Sequence, residues 1–250
     1  RNLSIVAPTA GLDVDLLIAA QCVRRIHTAY VGAEGLAPAG PAFRAAVMNG
    51  ELELFELDEG MVVQGLRAAA QQLPFLPWRG GLGTSLPELN PELVEFDDPI
   101  RGERLLAIPA LKLDVALIHA DRADEYGNAQ IDGAGHMDLL LAAAAERVII
   151  QANEIVDIET IRERPGATHF WRDAVVVYAV DGTHPYATVV LDVDEDALRE
   201  YIAAATSATI DGEPAALEEY LDYWIREPTD HLDYLERVGK ERMDALRRER

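Results

Sequence analysis

Two adjacent carboxylates are the first residues of this sequence whose types and position could do chemistry. The stretch FELDEGMVVQGLRAAAQQLPFLP, residues 55–77, predicts a strand end, a tight turn at Asp58-Glu59-Gly60, and a helix that stops at Pro74. Asp is a favoured helix N-cap and Glu suits the first turn, so one interpretation is purely structural. The second places Glu59 in the crevice where open α/β sheets bind ligands, oriented to attack a carbonyl group.

The second candidate is a glycine-rich segment, RGGLGTS, at residues 79–85. Consecutive glycines let backbone N–H groups approach an oxyanion or a phosphate closely. The segment is neither a Walker A loop nor a dinucleotide fingerprint, and its other interpretation is an ordinary surface loop. We predict substrate contacts at Gly81, Gly83, Thr84 and Ser85.

The third candidate is HADRADEYGN, residues 119–128. Its acids lack the second His that a metal site of this kind needs, so we predict no metal. Arg122 offers a planar fork to a carboxylate or phosphate, unless it pairs with Asp121 or Asp124 instead. Asn128 closes a turn after a strand, and we predict Arg122 and Asn128 as substrate contacts.

Two other kinds of chemistry find no support in the sequence. No Gly-x-Ser-x-Gly elbow is present and Ser85 has no evident partner, which disfavours a serine triad. Cys22 is the single cysteine, so neither a disulfide framework nor a Cys-based metal cluster is predicted.

Alternating strand-like and helix-like segments must position these candidates, and such alternation favours a mostly parallel sheet covered by helices. The segment 74–104 is rich in Pro and Gly and is predicted as a long, functional loop. The predicted strands are 3–7, 26–31, 52–57, 114–120, 147–152 and 173–180, and the predicted helices are 12–20, 41–49, 59–73, 136–145 and a tail from 194.

The fold class expected from this pattern is an α/β protein, an open α/β/α sandwich with C-terminal helices. No repeat or linker divides the chain, so we predict one domain over 1–250 with a helical appendage at 194–250. The chain begins without Met, one residue before the strand-like run LSIVAP. We therefore expect that an N-terminal segment precedes it.

Net charge excludes some partners. The chain carries 44 acidic and 22 basic residues, a formal net charge of −22, and Lys112 and Lys240 are its two lysines. Such a surface repels nucleic acid and anionic membranes. The apolar stretches fall short of the ~20 residues that a membrane span needs. We expect a cytoplasmic protein adapted to high salt; the alternative is an acidic protein from a GC-rich genome.

Taken together, these segments resemble the alpha subunit of the two-subunit family I CoA-transferases, the glutaconate CoA-transferase group in particular. The resemblance rests on GLDVDLLIAAQCVRRIHTAYVG, ELDEGMVVQGLRAAAQQLPFLP, GLGTSLPELNPELVEFDDP, ERLLAIPALKLDVALIHADRADEYGNAQIDG and AAERVIIQANEIV. It is dense over residues 3–160 and fades over the C-terminal helices. It implies an open α/β/α sandwich whose alpha and beta subunits meet at the active site, as a heterodimer or heterotetramer.

The implied chemistry is the transfer of CoA between carboxylic acids. A Glu attacks an acyl-CoA to give an acyl-glutamyl anhydride, and CoA returns to form a glutamyl-CoA thioester that passes CoA to the acceptor acid. Coenzyme A is then a substrate, and no permanently bound cofactor is expected. In most two-subunit members the Glu belongs to the beta subunit, so Glu59 is either the nucleophile or its structural counterpart.

The stretch ELDEGM…GLRAAAQQLPFLP also resembles the alpha subunit of CoA-thioester hydrolases that open the last steroid ring in bacterial cholesterol breakdown. That group carries its essential Glu in the alpha subunit, so Glu59 would there serve C–C hydrolysis. The HADRADEYGNAQIDG run is closer to the glutaconate group, which favours the transferase. A third interpretation is a non-catalytic subunit that shapes an acyl-CoA site.

The acid-rich surface leads to a first prediction. Because counter-ions screen the repulsion among so many carboxylates, we expect the melting temperature to rise from low to molar KCl. Differential scanning calorimetry over a KCl series measures this directly. A melting temperature that stays flat across the series would contradict adaptation to high salt.

Overall fold

The computed structural model describes residues 2–170 and 174–248. The chain divides into two compact units, Arg1–Lys112 with Arg199–Glu219, and Leu113–Leu198 with Tyr220–Arg250. They are called the first and the second unit below, and each is described by itself. The assignment of the whole chain to one domain stays a prediction.

The first unit opens with a three-stranded parallel sheet in the order β1-β2-β3. Two helices connect its strands. The second helix begins with Pro41, whose missing N–H costs nothing there, and it ends before Gly50, whose φ is +70°. The elements are β1 Leu3–Ala7, α1 Leu12–Ala19, β2 Val23–Thr28, α2 Pro41–Met48 and β3 Glu53–Glu56.

The long loop predicted over residues 74–104 is wrong. After α3 the chain forms a three-stranded antiparallel sheet in the order β4-β6-β5. Pro77 lies in the edge strand β4, and an edge strand tolerates a residue without an N–H donor. The elements are α3 Glu59–Ala70, β4 Phe75–Trp78, α4 Leu86–Leu89, β5 Val94–Asp97 and β6 Arg104–Pro109.

A buried carboxylate joins three helices of the first unit. Asp15 on α1 is fully buried and accepts hydrogen bonds from the backbone N–H groups of Ala42 and Phe43 at the start of α2, at 3.3 and 2.6 Å. It also accepts from the hydroxyl of Tyr201 at 2.7 Å, on α7 (Glu195–Thr206). Burial raises the pKa of Asp15, and these bonds oppose that rise. Part of the C-terminal tail is therefore integral to the first unit.

The second unit contains a five-stranded sheet in the order β10-β8-β7-β9-β11. Its β7-β9 and β9-β11 pairs are parallel, whereas β8 pairs antiparallel with both its neighbours. The predicted strand 173–180 corresponds to β11, although Asp173 lies outside the described residues. The elements are β7 Leu113–Ala123, β8 Asn128–Gln130, α5 Asp138–Ala144, β9 Ala145–Ile155, α6 Ile158–Arg162, a 3₁₀ turn Pro165–Ala167, β10 Thr168–Phe170 and β11 Val175–Tyr178.

Strand alternation builds the core of this sheet. Ala116 and Ile118 on β7 lie opposite Val148 and Ile150 on β9, and all four are buried. Ala142 on α5 packs against the same cluster. The α/β class predicted from the alternation is confirmed.

The tail after residue 194 is helical, as predicted. Besides α7, it contains π-helical segments at Ser207–Asp211 and Asp222–Arg226, with α8 Ala215–Leu221, α9 His231–Val238 and α10 Lys240–Leu246. Among all the helices in the described part of the chain, none has the length and apolar character to cross a membrane.

A buried ion pair fixes α10 in the second unit. Asp194 is 4% exposed and accepts from the guanidinium of Arg242 through both carboxylate oxygens, each at 2.6 Å. His184 Nε2 lies 3.0 Å from the same carboxylate, and its Nδ1 lies 2.7 Å from the Tyr234 hydroxyl. Burial alone would raise the pKa of Asp194, but these donors outweigh it and lower that pKa to about 2.

This ion pair gives a second prediction. A pKa lowered from 3.8 to about 2 contributes about 2 kcal/mol to folding at neutral pH, and the contribution is lost as the pH falls from about 4 to about 2. We expect Asp194→Asn to lower the free energy of unfolding by about 2 kcal/mol at pH 7, and progressively less toward pH 2. Urea unfolding of the parent and the variant at a series of pH values measures the loss at pH 7 and its decrease toward pH 2.

The matched control is Asp192→Asn, which removes an exposed carboxylate paired with Arg248. An exposed pair contributes little, so we expect a change below about 0.5 kcal/mol. If the two substitutions lower the free energy of unfolding equally at pH 7, the buried carboxylate of Asp194 stabilises the fold no more than an exposed one.

Candidate functional site

Glu59 occupies the first turn of α3, as the sequence predicts. Asp58 is the N-cap, and its carboxylate accepts from the Met61 backbone N–H at 2.6 Å. Glu59 is exposed, and no group in the described residues donates a hydrogen bond to its carboxylate. The two neighbouring acids therefore divide the roles: Asp58 caps the helix and the Glu59 side chain stays available.

The glycine-rich loop lies directly against this helix start. A Cβ placed on Gly80 would lie 2.3 Å from Trp78 Nε1 and 3.2 Å from Asp58 Oδ2, and one on Gly60 would lie 2.8 Å from Trp78 Cζ2. The Trp78 ring thus touches a glycine on α3 and a glycine of the loop. Because neither position has room for a side chain, the backbones of the two segments approach closely.

The next loop residue continues this contact. Gly81 has φ +84°, and a Cβ on it would lie 2.3 Å from the Met61 methyl group on α3. Thr84 closes the turn, since its hydroxyl donates to the Gly81 carbonyl at 2.7 Å and accepts from the Leu86 N–H at 3.2 Å. Thr84 therefore holds the loop, whereas a direct substrate contact by its hydroxyl stays a prediction.

The loop presents free backbone donors. Within the described part of the chain, the N–H groups of Gly80, Gly81, Leu82, Gly83 and Ser85 donate to no protein group. Gly81 and Gly83 both have positive φ. Free N–H groups on a glycine-rich loop beside a helix start can stabilise an oxyanion or a phosphate.

A cavity of about 380 Å³ adjoins this loop. Its walls come from β4, the loop, α3 and β6. The lining residues are Gln64, Pro77, Trp78, Arg79, Gly80 and Leu105.

Arg122 lies in the second unit, near the end of β7. Its guanidinium donates to Asp132 at 3.0 Å, and Arg164 also contacts Asp132 at 2.8 Å. The sequence suggested Asp121 or Asp124 as the alternative ion-pair partner, but the structure pairs Arg122 with Asp132. Its Nε is buried without a partner in the described residues, so one of its donors is uncommitted.

Asn128 takes part in a tight turn between β7 and β8. Its side-chain amide donates to Asp124 Oδ2 at 2.7 Å, and its backbone N–H donates to Asp124 Oδ1 at 2.9 Å. These bonds make Asn128 a turn-forming residue. The polar turn predicted over 121–128 is shorter than expected, because β7 continues to Ala123.

The structure therefore groups the predicted residues by unit. Glu59 and the Gly81–Ser85 loop belong to the first unit, where the loop contacts the helix of Glu59 at Met61. Arg122 and Asn128 belong to the second unit. Across the described residues, no group of three or more His, Cys, Asp or Glu side chains is placed to hold a metal ion.

The predicted substrate contacts did not include Trp78 or Gly80, although Gly80 lies within the glycine-rich segment 79–85. Both precede the predicted contact residues by only a few positions, and an aromatic residue next to consecutive glycines was the available signal. Their importance depends on the distance between α3 and the loop, which the sequence does not contain.

Comparison with known proteins adds to this geometry. The sequence profile of the family described as Coenzyme A transferase matches residues 1–172. An Archaeoglobus fulgidus protein is 35% identical over 258 residues, covering 99% of this chain and 55% of that protein. The IpdA subunit of a cholesterol ring-cleaving hydrolase from Mycobacterium tuberculosis is 37% identical over 215 residues, covering 81% and 73%.

Glutaconate CoA-transferase of Acidaminococcus fermentans is similar in both sequence and structure. Its alpha subunit is 29% identical over 265 residues, covering 98% of this chain and 81% of that subunit. The crystal structure of that enzyme superimposes with a TM-score of 0.90 at 27% identity, covering 100% of this chain and 83% of the other. The chain belongs to the coenzyme A transferase family, and its predicted resemblance and fold class are confirmed. It spans about half the length of the Archaeoglobus relative and about three quarters of IpdA.

The close packing around Trp78 gives a third prediction. In Gly80→Ala the new methyl group must displace the indole or the loop, so we expect a loss of about 1–3 kcal/mol in the free energy of unfolding. Denaturant unfolding followed by tryptophan fluorescence measures both the loss and the altered environment of the ring.

The matched control is Gly166→Ala, where an added Cβ meets nothing within 4 Å. We expect that change to stay within about 0.5 kcal/mol. A Gly80→Ala protein as stable as this control would mean that the loop is not held against Trp78.

Proposed function

We propose that this chain is the alpha subunit of a heteromeric CoA-transferase that moves CoA between carboxylic acids through a glutamyl-CoA thioester. The observation that carries the proposal is the placement of Glu59. In a member of the coenzyme A transferase family, an exposed and unpaired glutamate begins a helix beside a glycine-rich loop with free N–H groups.

In the proposed reaction a Glu carboxylate attacks the thioester carbonyl of an acyl-CoA. The thiolate of CoA leaves, and an acyl-glutamyl anhydride forms. The thiolate then attacks the glutamyl carbonyl, which releases the first carboxylic acid and leaves CoA on the Glu. The acceptor carboxylate attacks the glutamyl-CoA thioester, which releases the CoA thiolate and forms a second acyl-glutamyl anhydride. The thiolate then attacks the acyl carbonyl of this anhydride, which gives the new acyl-CoA and restores the Glu carboxylate.

We assign the Gly81–Ser85 loop to the tetrahedral intermediates of these steps. Each intermediate carries an oxyanion, and preorganised N–H donors lower its energy more than that of the planar carbonyl. Glu59 is either the nucleophile or, if the partner supplies that residue, a carboxylate that shapes the acyl-CoA site. We also propose substrate contacts at Arg122 and Asn128 in the second unit, and coenzyme A enters as a substrate.

A partner beta subunit is part of the proposal. The glutaconate CoA-transferase relative and the cholesterol ring-cleaving relative are each named as one subunit of an enzyme, which supports a heteromer. We also propose a cytoplasmic location and adaptation to high salt, both supported by the acid-rich, lysine-poor composition.

A second candidate function is supported by one specific comparison. The identity with the ring-cleaving hydrolase subunit, 37%, exceeds the 29% found with glutaconate CoA-transferase. In a hydrolase of this kind Glu59 would act in C–C bond hydrolysis of a CoA thioester. The crystal structure with a TM-score of 0.90 is that of a transferase, which favours the first function.

Trapping of the covalent intermediate gives a fourth prediction. The chain is purified with its partner, incubated with acyl-CoA, and digested for mass spectrometry. We expect CoA attached to a Glu, and the modified peptide identifies the subunit that supplies it. A product cleaved at a carbon–carbon bond, with no CoA adduct on either subunit, would establish the hydrolase instead.

Two substitutions sharpen this experiment. Glu59→Gln removes the candidate carboxylate, and Glu56→Gln removes an exposed carboxylate three residues earlier, outside the helix. If Glu59 is the nucleophile, only Glu59→Gln abolishes the adduct. Full transferase activity from this chain expressed without a partner would contradict the heteromer.

A further inference from the structure

The outer face of the β4-β6-β5 sheet carries a second cavity in the first unit, of about 400 Å³. We call it the aromatic groove. It is lined mainly by Phe75, Pro77, Phe96, Ile100, Arg101 and Leu105, together with Arg79 and the acids Asp98 and Glu103. The other face of this sheet buries Leu106 and Ile108, so the groove lies on the side away from the core.

Two apolar side chains of the groove are exposed to solvent. Phe75 is 41% exposed and Ile100 is 87% exposed. The rings of Phe75 and Phe96 meet edge to face, with centroids 5.7 Å apart and an interplanar angle of 76°. This geometry leaves ring surface against which a planar base can stack, and base–aromatic stacking is favourable and tolerant of base identity.

The groove is lined by two arginines and two acids, and one of the arginines is available to an anionic ligand. The Asp98 carboxylate accepts from the backbone N–H groups of Ile100, Arg101 and Glu103, at 2.9, 3.0 and 2.8 Å, and so fixes the turn that presents Arg101. Glu103 pairs with Arg79. Within the described residues the guanidinium of Arg101 has no ion-pair partner, although the chain has a net charge of −22.

Arg79 adds a second cation at low cost. Its ion pair with Glu103 is solvent-exposed, with side chains 74% and 39% accessible, and exposed pairs contribute little free energy. A phosphate can therefore recruit Arg79 from Glu103. Guanidinium groups are well suited to phosphate because they donate two parallel hydrogen bonds.

The groove also adjoins the candidate active site. Pro77, Arg79 and Leu105 line both this cavity and the one beside the glycine-rich loop. Side chains alternate along β4, so Phe75 faces the groove whereas Trp78 lies on the side of buried Leu106 and touches Gly60 next to Glu59. The connection between the two cavities is therefore the wall that they share at Pro77, Arg79 and Leu105.

We propose that the aromatic groove binds the adenosine-phosphate end of a CoA thioester, with the base against Phe75 and Phe96 and a phosphate on Arg101. The inference rests on the proposed function, since it takes CoA as the substrate. The apolar rings, the uncommitted guanidinium and the wall shared with the cavity beside the glycine-rich loop together match a ligand with a base, phosphates and a reactive thioester at its far end.

A binding experiment tests the groove without requiring catalysis. Adenosine 3′,5′-bisphosphate is titrated into the full chain by calorimetry at fixed salt. We expect saturable binding that Arg101→Gln weakens by about tenfold, and that Phe75→Leu also weakens. Arg147→Gln removes an exposed arginine of the second unit and should leave binding unchanged. Absent binding, or equal binding by Arg101→Gln and the parent chain, would overturn the proposal.

A kinetic experiment on the chain with its partner separates this proposal from the proposed function. Arg101→Gln should raise KM for acyl-CoA by about tenfold and leave KM for the acyl-pantetheine thioester unchanged. Nucleotide binding without any CoA transfer would contradict the proposed function but still support a nucleotide site in the groove. CoA transfer with equal KM values for acyl-CoA in Arg101→Gln and the parent would contradict only the nucleotide site. Loss of the partner from Phe75→Leu or Arg101→Gln would make the face a subunit interface and overturn the nucleotide site.

Discussion

The candidate site depends on one close approach, where the Trp78 ring touches Gly60 on α3 and Gly80 in the loop. A side chain at either glycine would collide with the indole, so the contact exists because both positions lack a Cβ. It fixes the beginning of a helix beside free backbone N–H groups. The helix that begins with Glu59 is thereby held against a loop whose backbone donors suit an oxyanion.

Acidic residues organise much more of this chain than its surface. Asp58, Asp157 and Asp230 each cap a helix by accepting from the N–H group three residues later. Asp15 and Asp194 are buried and hold helices through several donors each. An excess of carboxylates in the composition therefore combines structural and surface roles, because a short acidic side chain satisfies the free N–H groups of a helix start.

Local patterns predicted most helices and strands of the chain and failed at two places, the segment 74–104 in the first unit and the end of β7 in the second. The helix after Asp58 and the stop at Gly50 follow from capping, which acts over three or four residues. The segment 74–104 forms strands although its Pro and Gly content predicts a loop. Pro77 is accommodated in an edge strand, and edge position is a property of the sheet. The end of β7 extends beyond its predicted limit for a related reason, since polar residues of a strand are stabilised by neighbouring strands.

The sequence by itself determined the α/β class, the family, and a glutamate at a helix start followed by a glycine-rich segment. Those features depend on neighbours along the chain and on motifs of fixed spacing. Only the tertiary structure decided which side chains are free. Thr84 and Asn128 form turns through their side chains, and Arg122 pairs with Asp132. Among the described residues, Glu59 and Arg101 have no ion-pair partner. The ring of Trp78 lies between Gly60 and Gly80. The bonds of Thr84 and Asn128 span only two to four residues, but local patterns do not specify which of several possible turn contacts forms. The contact of Trp78 with Gly60 joins residues 18 positions apart, and no local pattern contains that distance.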